Sequence, residues 1–304
     1  MIKAWNRFFY EPCDPTPIAL YRILFGALVL IKNLMLWPQL LLWYGEKGVL
    51  PAATLRLVQP GIRINLLNLL PQNDETLKLF FILFTITCVC LMIGLFTRAS
   101  CILVFLGLVT LHHRNIFILT SGETVLRVTG FFLMFSACGR ALSVDRLWRL
   151  KRGKESGAPP LCAPWAQRLI QIQISVVYIS TLWWKLKGIT WIGGTAVGIA
   201  HQVLVFQRFP VPYLFDHLWT VHLITWGTLL LEFSLGVLIW FKPLRYYILA
   251  AGVLFHLGLE YSMTIPLFEW IMIATYVCFI EIPPGSRHIF SELRQAYQVK
   301  QQHP

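Results

Sequence analysis

The stretch 79-LFFILFTITCVCLMIGLF-96 contains no charged residue. An α-helix needs about 20 mostly apolar residues to cross the hydrocarbon core of a bilayer. Because that core offers no hydrogen-bond partners to an open backbone, an apolar segment of this length crosses it as a helix. The stretch therefore predicts a transmembrane helix.

The whole chain has the composition of a membrane protein. Its 304 residues are 57% hydrophobic and only 13% charged, whereas soluble domains carry about 25% charged residues. The apolar segments, with the first stretch included, predict an all-α integral membrane protein. It is expected to be a single domain over 1–304, a bundle of about eight transmembrane helices. The segments lie near 17–37, 77–97, 99–112, 124–139, 169–187, 218–241, 244–262 and 265–282.

Two longer intervals between these segments, 38–75 and 191–216, mix Trp, Leu, Pro and Gly. This composition favours interfacial or re-entrant helices in the outer loops.

The basic residues predict the orientation of the chain. A formal charge of +12 would suggest nucleic acid binding in a soluble protein, but here the basic residues lie mostly between apolar segments. The basic loop at 140–168 and residues such as Arg287, Arg294 and Lys300 are expected on the cytoplasmic side, because cytoplasmic loops carry an excess of Lys and Arg. Both termini are then cytoplasmic, in a bacterial inner membrane or an ER-type membrane. The expected partners are membrane lipids and not nucleic acid.

No metal site is expected from the sequence. The seven cysteines form no CxxC pair and no Cys/His cluster with metal-ligand spacing. GxGxxG, Walker and HExxH motifs are also missing from the sequence.

Ionisable side chains inside the apolar segments mark the candidate site, since such groups are costly in lipid and usually face the bundle interior. Several have a local alternative. Arg22 and Lys32 have stems long enough to snorkel to the membrane surface. Glu123 has the i,i+4 spacing of an ion pair with Arg127. Glu232 lies in the middle of its segment, which predicts a buried polar network.

His256 and Glu260 are one helical turn apart, which is compatible with mutual support. A neutral, hydrogen-bonded core histidine is the alternative for His256.

The segment 177-VYISTLWWKLKGITWIGG-194 carries two lysines among tryptophans. Lys185 and Lys187 are i,i+2 and point to nearly opposite sides of a helix. Both are compatible with anchors in an interfacial aromatic belt. Alternatively, one of them faces an apolar cavity. Burial disfavours the charged form of an amine, and a neutral amine can act as a base.

Several segments, in the same order and at compatible spacing, resemble one known family. They are 14-DPTPIALYRILFG-26, 94-GLFTRASC-101, 143-SVD-145, 173-QISVVYISTLWWKL-186 with Trp191 and Gly194, 229-LLLEFSLG-236, and 255-FH-256 with Phe268. The family is HTTM, the transmembrane domain shared by vitamin K-dependent γ-carboxylase and its bacterial relatives.

The resemblance implies a set of roles. Lys185 falls on the position of the family's catalytic base, and Trp184 replaces the second lysine of the carboxylase pair. Phe117 stands at the position of the family's functional histidine, while 114-RNIFILTSGETVLR-127 resembles the bacterial version of that element. The residues expected to contact substrate or cosubstrate are His113, Arg114, Asn115, Glu123, Trp184, Trp191, Glu232, His256 and Glu260. Those expected to be structural are Arg22, Gly26, Arg98 and Asp145.

The same resemblance implies reduced vitamin K or menaquinol as the lipid quinol, with O2 and CO2 as cosubstrates. The acceptor is expected to be a peptide or a small acidic molecule. Two function classes are open: a quinol-dependent carboxylase or oxidase-type enzyme with Lys185 as base, or a non-catalytic membrane factor that assists maturation or export of a secreted peptide. The enzyme should lose function on Lys185→Arg, whereas the membrane factor should tolerate it.

Overall fold

The computed structural model describes residues 1–58, 64–211 and 213–282. The regular elements in these ranges are all helical, and the extended contacts consist of two isolated bridges, Cys13 with Cys162 and Gln207 with Met263. The α-helices are α1 (Ile2–Tyr10), α2 (Thr16–Leu36), α3 (Leu40–Tyr44), α4 (Ala52–Val58), α5 (Asp74–Ile93), α6 (Thr97–Arg114), α7 (Ser121–Leu133), α8 (Val144–Lys151), α9 (Trp165–Lys185), α10 (Ile189–Ile192), α11 (Ala196–His201), α12 (Leu218–Gly236), α13 (Lys242–Ser262) and α14 (Phe268–Tyr276).

Each of the eight predicted segments contains a helix, so the all-helical class is confirmed. In the described part of the chain, three helical stretches are long and apolar enough to cross a membrane: Thr16–Tyr44, Asp74–Ile93 and Leu218–Gly236. A shorter apolar helix covers Phe268–Phe279. The count of about eight spans is not confirmed. The orientation stays a prediction, and Arg287, Arg294 and Lys300 lie outside the described residues.

The chain forms two compact units. Among the described residues, the first comprises those of Met1–Arg168 together with residues 280–282, and the second comprises those of Leu169–Phe279. The basic loop at 140–168 belongs to the first unit, and the segment with Lys185 and Lys187 belongs to the second.

The core of the first unit is built on close packing between α2 and α5. A Cβ placed on Gly26 would lie 3.0 Å from both the Cα and the backbone nitrogen of Met92. Any larger side chain would push the two helices apart, since a backbone cannot yield as a flexible side chain does. Gly26 therefore allows the close approach of α2 to α5.

Arg22 ties α2 to the loop before α8. Its side chain is fully buried and donates to the carbonyls of Cys138 at 3.2 Å and Leu142 at 2.6 Å. The snorkelling alternative for Arg22 is therefore wrong: the guanidinium ends inside the protein, where it satisfies loop carbonyls that would otherwise be buried without donors.

Asp145 holds the other side of this loop. Its carboxylate accepts hydrogen bonds from the backbone N–H groups of Phe96 and Thr97 at 2.8 and 2.7 Å, and from the Thr97 hydroxyl at 2.7 Å. A carboxylate at the first turn of α6 also complements the positive end of the helix dipole. Asp145 thus links the start of α8 to the start of α6.

The interval 38–75 contains short helices. The structure has α3, α4 and two 3-10 segments there, with residues 59–63 outside the described part. The interval 191–216 likewise contains α11 and a 3-10 segment at Leu204–Phe206, and α10 ends at its edge. Both intervals are thus partly helical. That these helices are interfacial or re-entrant stays a prediction.

In the second unit, small residues let α9 and α14 approach their neighbours. A Cβ on Gly236 of α12 would lie 2.8 Å from the side chain of Ile179 on α9. A Cβ on Gly252 of α13 would lie 2.9 Å from the hydroxyl of Tyr276 on α14. Small residues at helix crossings are typical of helices that pack in membranes.

Candidate functional site

Lys185 and Glu232 form an ion pair between the end of α9 and the last turns of α12. The Glu232 side chain is 7% exposed and that of Lys185 is 24% exposed. A carboxylate at this depth needs a cation, because an unpaired buried charge is very costly. The buried polar network predicted for Glu232 is therefore present, with Lys185 as its cation.

Trp191 covers the other side of the Lys185 amine. The amine lies 4.5 Å from the centroid of the Trp191 ring, which is the geometry of a cation–π contact. The turn after α9 fixes this position: the indole N–H of Trp226 on α12 donates to the carbonyl of Ile192 at 3.1 Å. Gly194 closes the turn with a φ of +76°, a conformation that glycine adopts without strain.

Lys187 has a different environment from Lys185. Its amine lies 4.7 Å from the ring of Trp183 and 4.6 Å from that of Trp184. All three residues are exposed. Lys187 therefore fits the anchor in an aromatic belt, and Trp184 belongs to this anchor, whereas Trp191 belongs to Lys185. The expected separation of the two lysines is confirmed.

A second buried cluster surrounds His256. Its Nδ1 pairs with the carboxylate of Glu269, and its Nε2 lies 2.8 Å from the hydroxyl of Tyr178. The same hydroxyl lies 2.5 Å from that of Tyr276. All four side chains are buried. A histidine held between a carboxylate and a hydroxyl has both ring nitrogens engaged, which fixes the orientation of the ring.

One face of α9 joins the two clusters. Thr181 donates to the Tyr178 carbonyl at 3.0 Å, and its hydroxyl lies 3.5 Å from the Glu232 carboxylate. Tyr178, Thr181 and Lys185 are spaced i, i+3 and i+7 and so share one side of the helix. Polar side chains of both clusters therefore lie along one side of α9.

Glu260 has another partner than the one expected. Its carboxylate pairs with Arg208, which also donates to the Glu260 carbonyl at 3.0 Å. The mutual support predicted between His256 and Glu260 is therefore wrong, because His256 pairs with Glu269 and Glu260 with Arg208. The Arg208 side chain is 43% exposed, so this pair lies nearer the surface than the His256 cluster.

The predicted rim residues lie in the first unit. Arg114 is buried and donates to the carbonyls of Tyr44 at 2.7 Å and Leu50 at 2.8 Å. Nδ1 of His113 lies 2.8 Å from the Ile64 carbonyl, and the Asn115 amide donates to the Trp43 carbonyl at 2.8 Å. These contacts hold the interval 38–75 in place.

Arg114 also lines a pocket of about 420 Å³ with Tyr44, Glu46 and Asp74. Glu123, the other polar residue predicted in this part of the chain, pairs with Lys32 at 2.5 Å. The ion pair expected between Glu123 and Arg127 is therefore wrong, and the Lys32 amine ends on the Glu123 carboxylate. Both side chains are mostly buried, at 13% and 14% exposure.

Three members of the His256 cluster were not among the residues expected to contact substrate or cosubstrate. Tyr178, Glu269 and Tyr276 are polar side chains within apolar helices, a signal that is visible in the sequence. Tyrosine is common in helix interiors and membrane interfaces, so only its contacts show that it belongs to a site. Among the described residues, no group of three or more His, Cys, Asp and Glu side chains is arranged to hold a metal ion.

Comparison with known proteins agrees with this architecture. No solved structure matches the chain. The HTTM domain, the membrane domain of vitamin K-dependent carboxylase-type proteins, matches residues 10–283. The match includes the Lys185–Glu232 pair and the His256 cluster as well as the helices of the first unit. This chain belongs to the HTTM domain family.

Proposed function

We propose that this protein is a membrane enzyme that uses a lipid quinol, with the Lys185–Glu232 pair as its base, in a carboxylation or a related oxidative modification. The observation that carries the proposal is the position of the Lys185 amine, between a buried carboxylate and the face of Trp191. Membership of the HTTM domain family supports the same reaction class.

The residues around the pair fit a quinol. A quinol needs a proton acceptor beside its hydroxyl and an apolar, aromatic environment for its ring. Lys185 and Glu232 supply the acceptor, and Trp191 supplies the aromatic surface. Reduced vitamin K or menaquinol would supply, with O2, the oxidative chemistry that lets a peptide or small acidic acceptor take up CO2.

The pair can hold and move a proton without a change in its net charge. When the proton passes from Nζ of Lys185 to the Glu232 carboxylate, the amine gains a free electron pair and the two residues together stay neutral. A neutral amine can then accept a proton from substrate, as a general base does. Trp191 shields the amine on its other face, and reduced access of water protects a carbanion from quenching.

The His256 cluster lies on the same side of α9 as the pair. Tyr178 contacts His256 through its hydroxyl, whereas Thr181 donates to the Tyr178 backbone carbonyl and lies 3.5 Å from the Glu232 carboxylate. Because a backbone carbonyl does not relay a proton, the role proposed for the cluster is to position α9, which carries Lys185.

The test compares Lys185 with Lys187. Full-length protein is incubated with reduced menaquinone or vitamin K, O2 and labelled CO2, and both quinone epoxide and labelled product are measured. Lys185→Arg keeps the charge but removes the amine that can become neutral, so we expect a loss of about 10²–10⁴-fold, the usual contribution of a general base. Lys187→Arg, two residues further along the chain, should keep wild-type activity.

Two outcomes would contradict the proposal. Equal turnover by wild type and Lys185→Arg would exclude Lys185 as the base. If no epoxide and no labelled product form with any quinol, while Lys185→Ala still supports maturation or export of a secreted peptide in cells, the non-catalytic membrane factor is the better description.

A further inference from the structure

A groove of about 710 Å³ lies on the first unit where the start of α6 meets α8. Its walls carry two aromatic and four basic side chains: Phe96, Arg98, Trp148, Arg149, Arg152 and Lys154. Asp145 also reaches the groove, but its carboxylate already accepts three hydrogen bonds from Phe96 and Thr97. Four basic side chains outnumber this one carboxylate, so the groove is basic.

Most of this positive charge is not neutralised by the protein. Arg149 pairs with Glu155 at 2.7 Å. Within the described ranges 1–58, 64–211 and 213–282, no ion pair involves Arg98, Arg152 or Lys154. Three cations thus stand beside one groove without a carboxylate partner, and an anion is the complementary ligand.

Large apolar side chains stand next to these cations. Phe96 is 64% exposed and Trp148 is 43% exposed, and their rings meet edge to face with centroids 6.0 Å apart. Leu142 and Leu147 are also exposed. Exposed aromatic and apolar side chains mixed with Lys and Arg are typical of a surface that lies at the membrane interface.

The backbone is strained at two of these apolar residues. Phe96 has a φ of 44° and Leu142 a φ of 48°, in the left-handed region that residues other than glycine rarely adopt. Asp145 holds Phe96 through its backbone N–H, and Arg22 holds Leu142 through its carbonyl. Interior hydrogen bonds therefore maintain a costly conformation in which both apolar side chains are exposed. Strain of this kind is concentrated at binding sites.

We infer that this groove binds the headgroup of an anionic phospholipid, with Arg98, Arg152 and Lys154 at the phosphate and with Phe96 and Trp148 against the first part of the acyl chains. Charge complementarity selects an anionic headgroup, and the exposed rings select a lipid over a free phosphate ion. This binding surface is separate from the Lys185–Glu232 pair and does not depend on the proposed reaction.

Native mass spectrometry of the full-length protein in detergent tests the inference. Phosphatidylglycerol and phosphatidylcholine are added in equal amounts, and the bound lipids are counted. Wild type should retain phosphatidylglycerol preferentially. Because a basic residue near an anionic membrane surface contributes roughly fivefold to binding, the triple variant Arg98→Gln/Arg152→Gln/Lys154→Gln should lose about tenfold or more of this preference. The matched variant Lys3→Gln/Lys47→Gln/Lys78→Gln removes the same charge elsewhere and should keep the preference.

Phe96→Gly separates lipid binding from folding. Glycine adopts the left-handed conformation without strain, so this variant should unfold at the same or a higher temperature and yet retain less phosphatidylglycerol than wild type. Equal retention by wild type and the triple variant would overturn the inference, and so would an equal loss in the matched variant. Displacement of the lipid by an equal concentration of inorganic phosphate would show that the occupant is a soluble anion.

Discussion

Three charged pairs inside the apolar segments of this protein join side chains on different helices. Lys185 pairs with Glu232, Lys32 with Glu123 and His256 with Glu269. A pair at i,i+4 on an exposed helix contributes only about 0.2–0.5 kcal/mol. A buried charge left without a partner costs several kcal/mol. The cost of an unpaired buried charge is larger than the gain from a pair on one helix. A buried charged side chain therefore pairs with an oppositely charged group on a neighbouring helix when the fold places one within reach.

The Lys185–Glu232 pair allows a test at the scale of single residues. Glu232→Leu leaves the Lys185 ammonium without its carboxylate. We expect a loss of about 2 kcal/mol in the free energy of unfolding, below the ~3–5 kcal/mol of a fully buried pair because a quarter of the Lys185 side chain is exposed. Thermal or denaturant unfolding of the full-length protein in detergent measures it.

The double variant Lys185→Met/Glu232→Leu is the control for this loss. It replaces both charges by apolar groups and should recover most of the stability, since a well-packed apolar pair is often as stable as a buried ion pair. It should not recover activity. Additive losses in the double variant would mean that the two side chains do not act as a pair.

At the scale of helices, glycine positions set how closely two elements approach. Gly26 on α2 faces the backbone of Met92 on α5. The resemblance pointed to Gly26 as structural, but the helix that it meets is visible only in the folded chain. Glycines within apolar helices differ in how closely a neighbouring element approaches them. A Cβ on Gly227 of α12 would meet no neighbouring group within 4 Å.

Gly26→Ala should therefore destabilise the protein while Gly227→Ala should not. At Gly26 the new Cβ would lie 3.0 Å from two backbone atoms, and overpacking of this kind costs about 1–3 kcal/mol. At Gly227 the substitution fills open space and improves helix propensity by up to ~1 kcal/mol. The unfolding temperatures of the two variants in the same detergent measure the difference. Equal shifts would contradict the close contact between α2 and α5.

At the scale of the whole molecule, the sequence predicts which side of the membrane each loop occupies. The basic loop at 140–168 is expected in the cytoplasm by the positive-inside rule. Cys162 lies in this loop and exchanges two backbone hydrogen bonds of 3.0 Å with Cys13. Burial raises the pKa of the Cys162 thiol, which lowers its thiolate fraction at neutral pH.

Labelling with a maleimide that cannot cross membranes tests this orientation. Cys162 should react only after sealed right-side-out vesicles are opened, whereas a cysteine introduced by Lys47→Cys should react from outside. Because the thiolate is the reactive form, Cys162 should react more slowly than an ordinary thiol near pH 7, and its rate should still rise at pH values where an ordinary thiol has levelled off. Peptide mapping locates the label. Reaction of Cys162 in sealed vesicles would reverse the predicted orientation.

By itself, the sequence determined the class of the protein, the positions of its helices, its family, and the burial of Glu232 in a polar network. These features follow from properties that are local along the chain: apolar length, helical spacing and short matching segments. Only the tertiary structure decided that Glu232 binds Lys185, that His256 binds Glu269 and Tyr178, and that Arg22 ends on loop carbonyls. The two pairings expected from spacing on one helix, Glu123 with Arg127 and His256 with Glu260, were wrong. The physical reason is that helices which meet in space bring together side chains far apart in sequence, and a buried charge is stabilised by the groups that actually surround it.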